Sequence, residues 1–385
     1  MKKNLLIIHG GGPTGVINVS LAGAIRAGQK NPNVGKIFGA RNGMGGLLRE
    51  DFIDLSNLTK EETDLIINTP GSAIGTSRDP LEEKDYKKAR EILVKNNIGY
   101  CLLNGGNGTM NTCAKLAREM EGTGVKVLGI PKTMDNDLGN TDHAPGFGSA
   151  ARYMAEITKE LVADVKGLPI HVVILEAMGR NAGWVTGAGA LANDQEGFGP
   201  DLILLPEVAF DEEKFLAKIK ELRKKKSGLV VLASEGLKDK DGKFITKPIF
   251  KSDRAVYYGD VGSHLANLII SKLNIKARAE RPGLLMRSSI SLRSEVDVKE
   301  AYEVGKFAVE KISQGENSAM VAIERISNDP YQVAYKLVGL SEGIIEEKIM
   351  DESYISEDGF YVSDKYLAYL RPLVGNLDNK MISLN

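Results

Sequence analysis

The chain has 385 residues, 42% of them hydrophobic, with 42 glycines and a net charge of -1. That length exceeds one ordinary core and suits two domains, and the near-zero charge argues against a nucleic-acid protein with a basic face. Cys101 and Cys113 are too few for a cysteine zinc cluster and give no disulfide framework, and His9, His143, His171 and His264 lack metal-ligand spacing. No apolar run reaches the roughly 18 residues of a membrane span, and the run after Met1-Lys2-Lys3 is too short for a signal peptide, so the expected location is the cytoplasm.

Asn4 to His9 reads as a buried strand, followed by Gly10-Gly11-Gly12-Pro13-Thr14-Gly15 and a helix-like stretch from Val16 to Ala27. Strand, glycine loop and helix in that order point backbone N–H groups at a phosphate, or else form a tight turn without a ligand. Lys36 to Arg41 is a second strand, and Asn42-Gly43-Met44-Gly45-Gly46 a glycine-rich loop. Residues 69–78, TPGSAIGTSR, form a small-residue loop ending in Arg78, either a solvated charge or an anion clamp. Asp85 to Asn96 is a charged amphipathic helix. Gly99 to Leu103 is a strand that runs into Asn104-Gly105-Gly106-Asn107-Gly108-Thr109-Met110 and a helix to about Met120, a second strand–glycine loop–helix unit.

Val125 to Ile130 is the next buried strand, and Pro131-Lys132-Thr133-Met134-Asp135-Asn136-Asp137 follows it. Two carboxylates at i and i+2, just past the carboxyl end of a strand, lie where ligands bind in open α/β sheets. A carboxylate there can take a proton from a hydroxyl, and a lysine can steady a phosphate; a plain Asx-turn loop is the alternative. Parallel strands with right-handed crossovers bring these loops to one edge, which makes a phosphate site far better supported than any single loop does.

The stretch 142–150 opens a long helix to about Val165. His171 to Leu175 is a strand, with Met178-Gly179-Arg180-Asn181-Ala182-Gly183-Trp184 beyond its end. Trp184 reads as core packing, and Arg180 as the ligand candidate. Leu202 to Pro206 and Leu229 to Ala233 are further strands, ending in Pro206-Glu207 and Ser234-Glu235-Gly236; this second series marks a second domain of the same class. Lys238 to Lys247 is an exposed hairpin and Tyr257 to Leu273 a helix. Arg278, Arg281 and Arg287 fall within ten residues that lack a helix pattern, as either a salt-bridge network or a phosphate clamp. Val296 to Ile312 is a helix, Ser318 to Arg325 and Tyr331 to Val338 are strands, and the tail from Asp351 to Asn385 looks helical without chemistry of its own.

Taken together, these stretches resemble the phosphofructokinase family over most of residues 4–326. GGGPTGVIN is similar to the family's first phosphate loop, GGNGTM to its GGDGS/T loop, PKTMDND to its catalytic loop, MGRNAGW to the segment that touches the sugar phosphate, and ASEG to the segment that holds the sugar. The resemblance implies an α/β fold of two Rossmann-like three-layer domains with the active site in the cleft between them. It places residues 1–146 with a returning segment of roughly 287–338 in a donor-phosphate domain, and 147–286 with 339–385 in a sugar-phosphate domain. The implied reaction is glycolytic phosphoryl transfer to the 1-hydroxyl of fructose 6-phosphate.

By motif position, Asp135 is then the general base, Asp137 organises magnesium and the loop, Thr133 bonds the transferring group, and Lys132 steadies a phosphate. Gly11, Arg78, Gly108 and Thr109 face the donor, and Arg180 holds the transferring or acceptor phosphate. Met178 and Gly179 line the sugar, Glu235 accepts from its hydroxyls, and Arg278 and Arg287, nine residues apart as in the family, grip the 6-phosphate. A homodimer or homotetramer, small-molecule partners and no membrane are also implied.

Gly108 stands where pyrophosphate users carry an aspartate that repels a nucleotide, so ATP is the expected donor. Lys132, GGGPTGVIN and MGRNAGW look more like the pyrophosphate branch and keep pyrophosphate as the alternative. Three residues depart from the family. Asn107 replaces the magnesium-binding aspartate and predicts a weaker site. His171 replaces an arginine that reaches the neighbouring subunit's sugar-phosphate site, and Leu284 a histidine near the sugar phosphate. A different phosphosugar, such as sedoheptulose 7-phosphate, is therefore an alternative acceptor. An NAD kinase-like or lipid kinase-like enzyme and a non-catalytic sugar-phosphate or nucleotide sensor are the rival readings.

Overall fold

The computed structural model describes residues 2–251, 256–340, 347–377 and 380–384. They divide into two compact units, 1–149 with 287–348 and 150–286 with 349–385.

Unit 1 opens with β1 (Lys3–His9), α1 (Ile17–Lys30), β2 (Val34–Ala40), α2 (Met44–Leu48), β3 (Phe52–Asp54), α3 (Lys60–Ile67), α4 (Glu83–Lys95), β4 (Ile98–Gly105), α5 (Asn107–Glu119) and β5 (Lys126–Pro131). The division falls inside α6 (Phe147–Gly167). Unit 2 carries β6 (Val172–Ala177), α7 (Trp184–Ala188), β7 (Leu202–Leu204), α8 (Glu212–Arg223), β8 (Leu229–Ser234), β9 (Pro248–Lys251), β10 (Val256–Tyr258), α9 (Val261–Leu273) and β11 (Ala277–Glu280). After α10 (Leu285–Ser288), α11 (Glu295–Ser313), β12 (Ala319–Asn328) and β13 (Tyr331–Gly339) complete unit 1, and α12 (Asp364–Val374) belongs to unit 2.

Among the described residues of unit 1, one sheet runs β13-β12-β5-β4-β1-β2-β3. Its central strands pair in parallel, and β3 and β13 close the edges antiparallel. Successive side chains of a strand point to opposite faces. In β1, Leu5 and Ile7 join α1 and α11 on one face, while Leu6 and Ile8 join α2, α4 and α5 on the other. All four are at most 1% exposed, which makes the sheet the middle of three layers. Each such side chain contributes about 1.5–3 kcal/mol on burial. Unit 2 repeats the scheme on a parallel sheet ordered β11-β6-β8-β7, with α8 and α9 packed on one face. Among the described residues no helix is long and apolar enough to cross a membrane. Both cysteines are buried and unpaired.

Several local expectations need correction. The glycine-rich stretch after β2 winds into α2 from Met44 onward. Tyr257 belongs to β10, and the helix expected to start there begins at Val261. The arginine-rich stretch holds β11 and the start of α10. The tail is helical only at Glu352–Tyr354 and in α12; its residues 378–379 and 385 lie outside the described set. α3 was signalled by a capping box, in which Thr59 accepts from the Glu62 N–H while the Glu62 side chain accepts from the Thr59 N–H.

Candidate active site

Strands β1, β4 and β5 are parallel neighbours, so their carboxyl ends share one edge of the unit 1 sheet. The chain leaves β1 toward β2 on one side and returns as β4 on the other; such a reversal is where open α/β sheets bind ligands. There the loops interlock. Gly10 N–H donates to the Asn104 carbonyl at 2.9 Å, and Lys132 N–H to the Gly105 carbonyl at 3.0 Å. A Cβ on Gly10 or Gly105 would collide with the Thr109 side chain. Thr109, expected at the donor, therefore packs on those two glycines. Gly11 has φ +74°, a region glycine enters without strain. Its N–H donates to the Ser77 carbonyl at 2.9 Å and its carbonyl accepts from Thr76 Oγ1 at 2.7 Å, which lays the 69–78 loop along the first glycine loop.

Cations gather on that surface. Lys132 is 4% exposed and its Nζ donates to the Gly12 carbonyl at 2.5 Å. A Cβ on Gly12 would strike the Arg287 guanidinium, with Arg78 Nη2 3.6 Å from the same point. Burial lowers the Lys132 pKa to about 8; Asp135 opposes that shift, and Arg287 and Arg78 add to it. Arg287 is lowered by burial and by Arg78, and supported by Asp135. Burial, and then the Lys132 charge, push His9 down to about 3, so His9 stays neutral and pairs with Ser72 Oγ at 2.8 Å. The result is a three-cation cluster over Gly12 with Asp135 as a nearby counter-charge.

The catalytic-loop candidate is held by its own side chains. Thr133 Oγ1 donates to Asp137 Oδ1 at 2.8 Å and accepts from the Asp135 N–H at 3.1 Å. Asn136, between the two aspartates, is fully buried with φ +53°. Asn107, at the start of α5, donates through Nδ2 to Asp137 Oδ2 at 3.1 Å and to the Asp137 carbonyl at 3.2 Å. Its Oδ1 is buried without a hydrogen-bond partner. A magnesium ion needs only one or two protein oxygens besides substrate phosphates, and the Asn107 amide oxygen with the Asp137 carboxylate fits that demand. Gly108 is exposed, with nothing within 4 Å of where a Cβ would stand.

In unit 2 the loops after β6 and β8 brace each other. Ser234 Oγ donates to the Gly179 carbonyl at 2.7 Å, Gly179 N–H reaches Glu235 Oε1 at 3.4 Å, and Glu235 N–H donates to the Ala177 carbonyl at 3.0 Å. A Cβ on Gly236 would run into the Arg180 backbone, so Met178-Gly179-Arg180 and Ser234-Glu235-Gly236 form one cluster. Arg180 is exposed. Arg278 is exposed on β11, its Nε 3.6 Å from Glu280. His171 precedes β6, and at about 3.3 Å per residue it stands roughly 20 Å from Met178, at the strand's other end. Leu284 is 63% exposed.

A family model described as Phosphofructokinase matches residues 4–312. The chain belongs to the phosphofructokinase family. It is 36% identical to a pyrophosphate–fructose 6-phosphate 1-phosphotransferase of Halomonas elongata, over 98% of this chain and 93% of that protein. It is 32% identical to a sulfofructose kinase of Alkalicoccus urumqiensis, over 91% of each. A crystal structure of a pyrophosphate-dependent phosphofructokinase from Nitrosospira multiformis superposes with a TM-score of 0.90 at 38% identity, covering 99% of this chain and 94% of that one.

Two placements lay beyond motif reading. Arg287, expected beside Arg278 at the 6-phosphate, belongs to unit 1 and stands over the glycine loop. Lys348 touches the catalytic loop from behind, with its N–H donating to the Asp137 carbonyl at 2.8 Å. It sits in a plain charged stretch, and no spacing marks it.

Proposed function

We propose that this chain moves a phosphoryl group from pyrophosphate to the 1-hydroxyl of fructose 6-phosphate. The observation that carries the reading is the convergence of Lys132, Arg78 and Arg287 on Gly12, within electrostatic reach of Asp135. Phosphoryl transfer is mainly positioning and charge stabilisation, which such a cluster supplies.

Pyrophosphate replaces the expected ATP as donor. The ATP expectation rested on the space at Gly108, and open space removes a repulsion without making a contact. Pyrophosphate offers little but phosphate oxygens, so its recognition rests on cations, and a buried lysine that shares Gly12 with two arginines suits it. The whole-length similarity to pyrophosphate-dependent relatives supports the same choice.

In this reading the Asp135 carboxylate takes the proton of the 1-hydroxyl as that oxygen bonds to phosphorus. The bond to the leaving phosphate breaks, and Lys132, Arg78 and Arg287 meet its charge. Thr133 fixes Asp137, and Asn107 and Asp137 would hold magnesium. When bound, that ion neutralises phosphate oxygens of the donor. Met178, Gly179, Arg180 and Glu235 hold the sugar, and Arg278 its 6-phosphate. Assembly as a dimer or tetramer would give His171 a neighbouring subunit's site to serve.

The test is an activity grid with magnesium, crossing pyrophosphate and ATP with fructose 6-phosphate, sedoheptulose 7-phosphate and 6-deoxy-6-sulfofructose. The highest kcat/KM is expected for pyrophosphate with fructose 6-phosphate. Turnover with ATP alone would overturn the donor, a better acceptor would overturn the sugar, and ligand binding without transfer would favour the sensor.

A further inference from the structure

Lys348 lies outside every motif, and it reaches the catalytic loop through both its backbone and its side chain. Its Nζ donates to Asn136 Oδ1 at 3.2 Å, to the Thr141 carbonyl at 3.3 Å and to the Asp142 carbonyl at 2.7 Å. An ammonium has three N–H donors, and these three oxygens take them. Its neighbour Glu347 forms an antiparallel bridge with Leu138, so the 347–348 segment runs alongside the end of the loop.

Asn136 is the residue whose left-handed backbone sets the directions of Asp135 and Asp137 on either side. Lys348 thus grips the pivot of the turn. Behind it stands a buried polar network. Asp142 Oδ2 meets His143 Nδ1 at 2.7 Å and accepts from Arg325 Nε at 3.1 Å. His143 Nε2 meets Glu300 Oε2 at 2.5 Å, and Tyr331 donates to Glu300 Oε1 at 2.7 Å. Burial alone would lower the His143 pKa, but its bonds to Asp142 and Glu300 raise it, and the ring bridges the two carboxyl groups. This network anchors residues 141–143 to α11, β12 and β13, and Lys348 carries that rigidity to the loop.

We propose that Lys348 is a positioning residue for the phosphoryl transfer, holding Asn136 so that Asp135 is aimed at the acceptor hydroxyl. The proposal rests on the reading of Asp135 as general base. A small misplacement of a reacting group costs about 10²-fold in rate. Lys348→Met is therefore expected to lower kcat about 10²-fold, with both KM values and the circular dichroism spectrum little changed.

The deciding measurement is a double-mutant cycle with Asn136→Gly, which removes the amide yet tolerates the left-handed backbone. Coupling is expected: the double variant should be no slower than Lys348→Met alone. Multiplying effects, or a kcat for Lys348→Met like that of the unaltered enzyme, would overturn the proposal. If Lys348→Met does not fold, Lys348→Gln is read in the same cycle. Asp135→Asn is assayed in parallel: an active Asp135→Asn overturns the base reading, whereas an inactive one beside a normal Lys348→Met overturns this proposal alone.

Discussion

In unit 1, the residues proposed for the chemical step are held before any ligand arrives. Thr133, Asn107 and Lys348 bond the catalytic loop from three directions, and Lys132 is tied to Gly12 while buried among charges. In unit 2, the backbone of the loops after β6 and β8 is braced, but the arginines proposed for the acceptor stand exposed. The contrast teaches a division of labour. Geometry at the reacting bond tolerates little error and is preorganised, while the grip on a distant phosphate can form as the sugar binds. Changes in unit 1 should therefore fall on kcat or on the donor and its metal, and changes in unit 2 on acceptor KM.

The largest effect should come from Asp135→Asn, which keeps the shape and removes the base. A fall in kcat of about 10³-fold is expected, with an unchanged melting curve. Retention of more than a tenth of the activity would end the comparison at its root.

Next comes Lys132→Met, expected to lower kcat/KM for pyrophosphate about 10²-fold. Its pH dependence sharpens the point. Because burial lowers this pKa, the ammonium loses its proton as pH rises through about 8, well below the range of a free lysine. The KM for pyrophosphate should climb through that range in the unaltered enzyme, and the step should vanish in Lys132→Met. An inflection that persists in the variant belongs to another group.

A smaller and different effect is expected from Arg278→Ala. Losing one charge-assisted hydrogen bond costs about 1.5–3 kcal/mol, or roughly ten- to hundredfold. It should appear in the KM for fructose 6-phosphate with kcat nearly intact, and a kcat-dominated loss would dissolve the distinction between the units. The smallest is Asn107→Asp, which adds a second carboxylate beside Asp137. Half-saturation should shift to lower magnesium by several-fold, as read by titrating activity with the metal. A shift to higher magnesium would place the ion elsewhere.

Much of this was open to reading along the chain because it is local. Continuous apolar runs before glycine clusters mark β1, β4 and β5, and the glycine loops lie where strands end. The short α2, MGGLL, has too few turns to show a helical period, and the three-residue β3 too few positions to alternate. The capping box of Thr59 and Glu62 is the local signal that marks the start of α3. The arginines at 278 and 287 show the limit most sharply: nine positions of sequence say nothing about which unit each side chain serves.

The sequence by itself determined the α/β class and the order of the glycine loops, because each follows from neighbouring residues and their backbone preferences, while the family resemblance supplied Asp135 as the candidate base. Only the tertiary structure decided that Arg287 joins Lys132 and Arg78, that Thr109 packs against Gly10 and Gly105, and that Lys348 braces Asn136. Apart from Thr109 on nearby Gly105, those contacts join residues from about fifty to more than two hundred positions apart. No local pattern encodes such pairings; they arise when β1, β4, β5 and β12 align in one sheet and bring distant loops to a common edge.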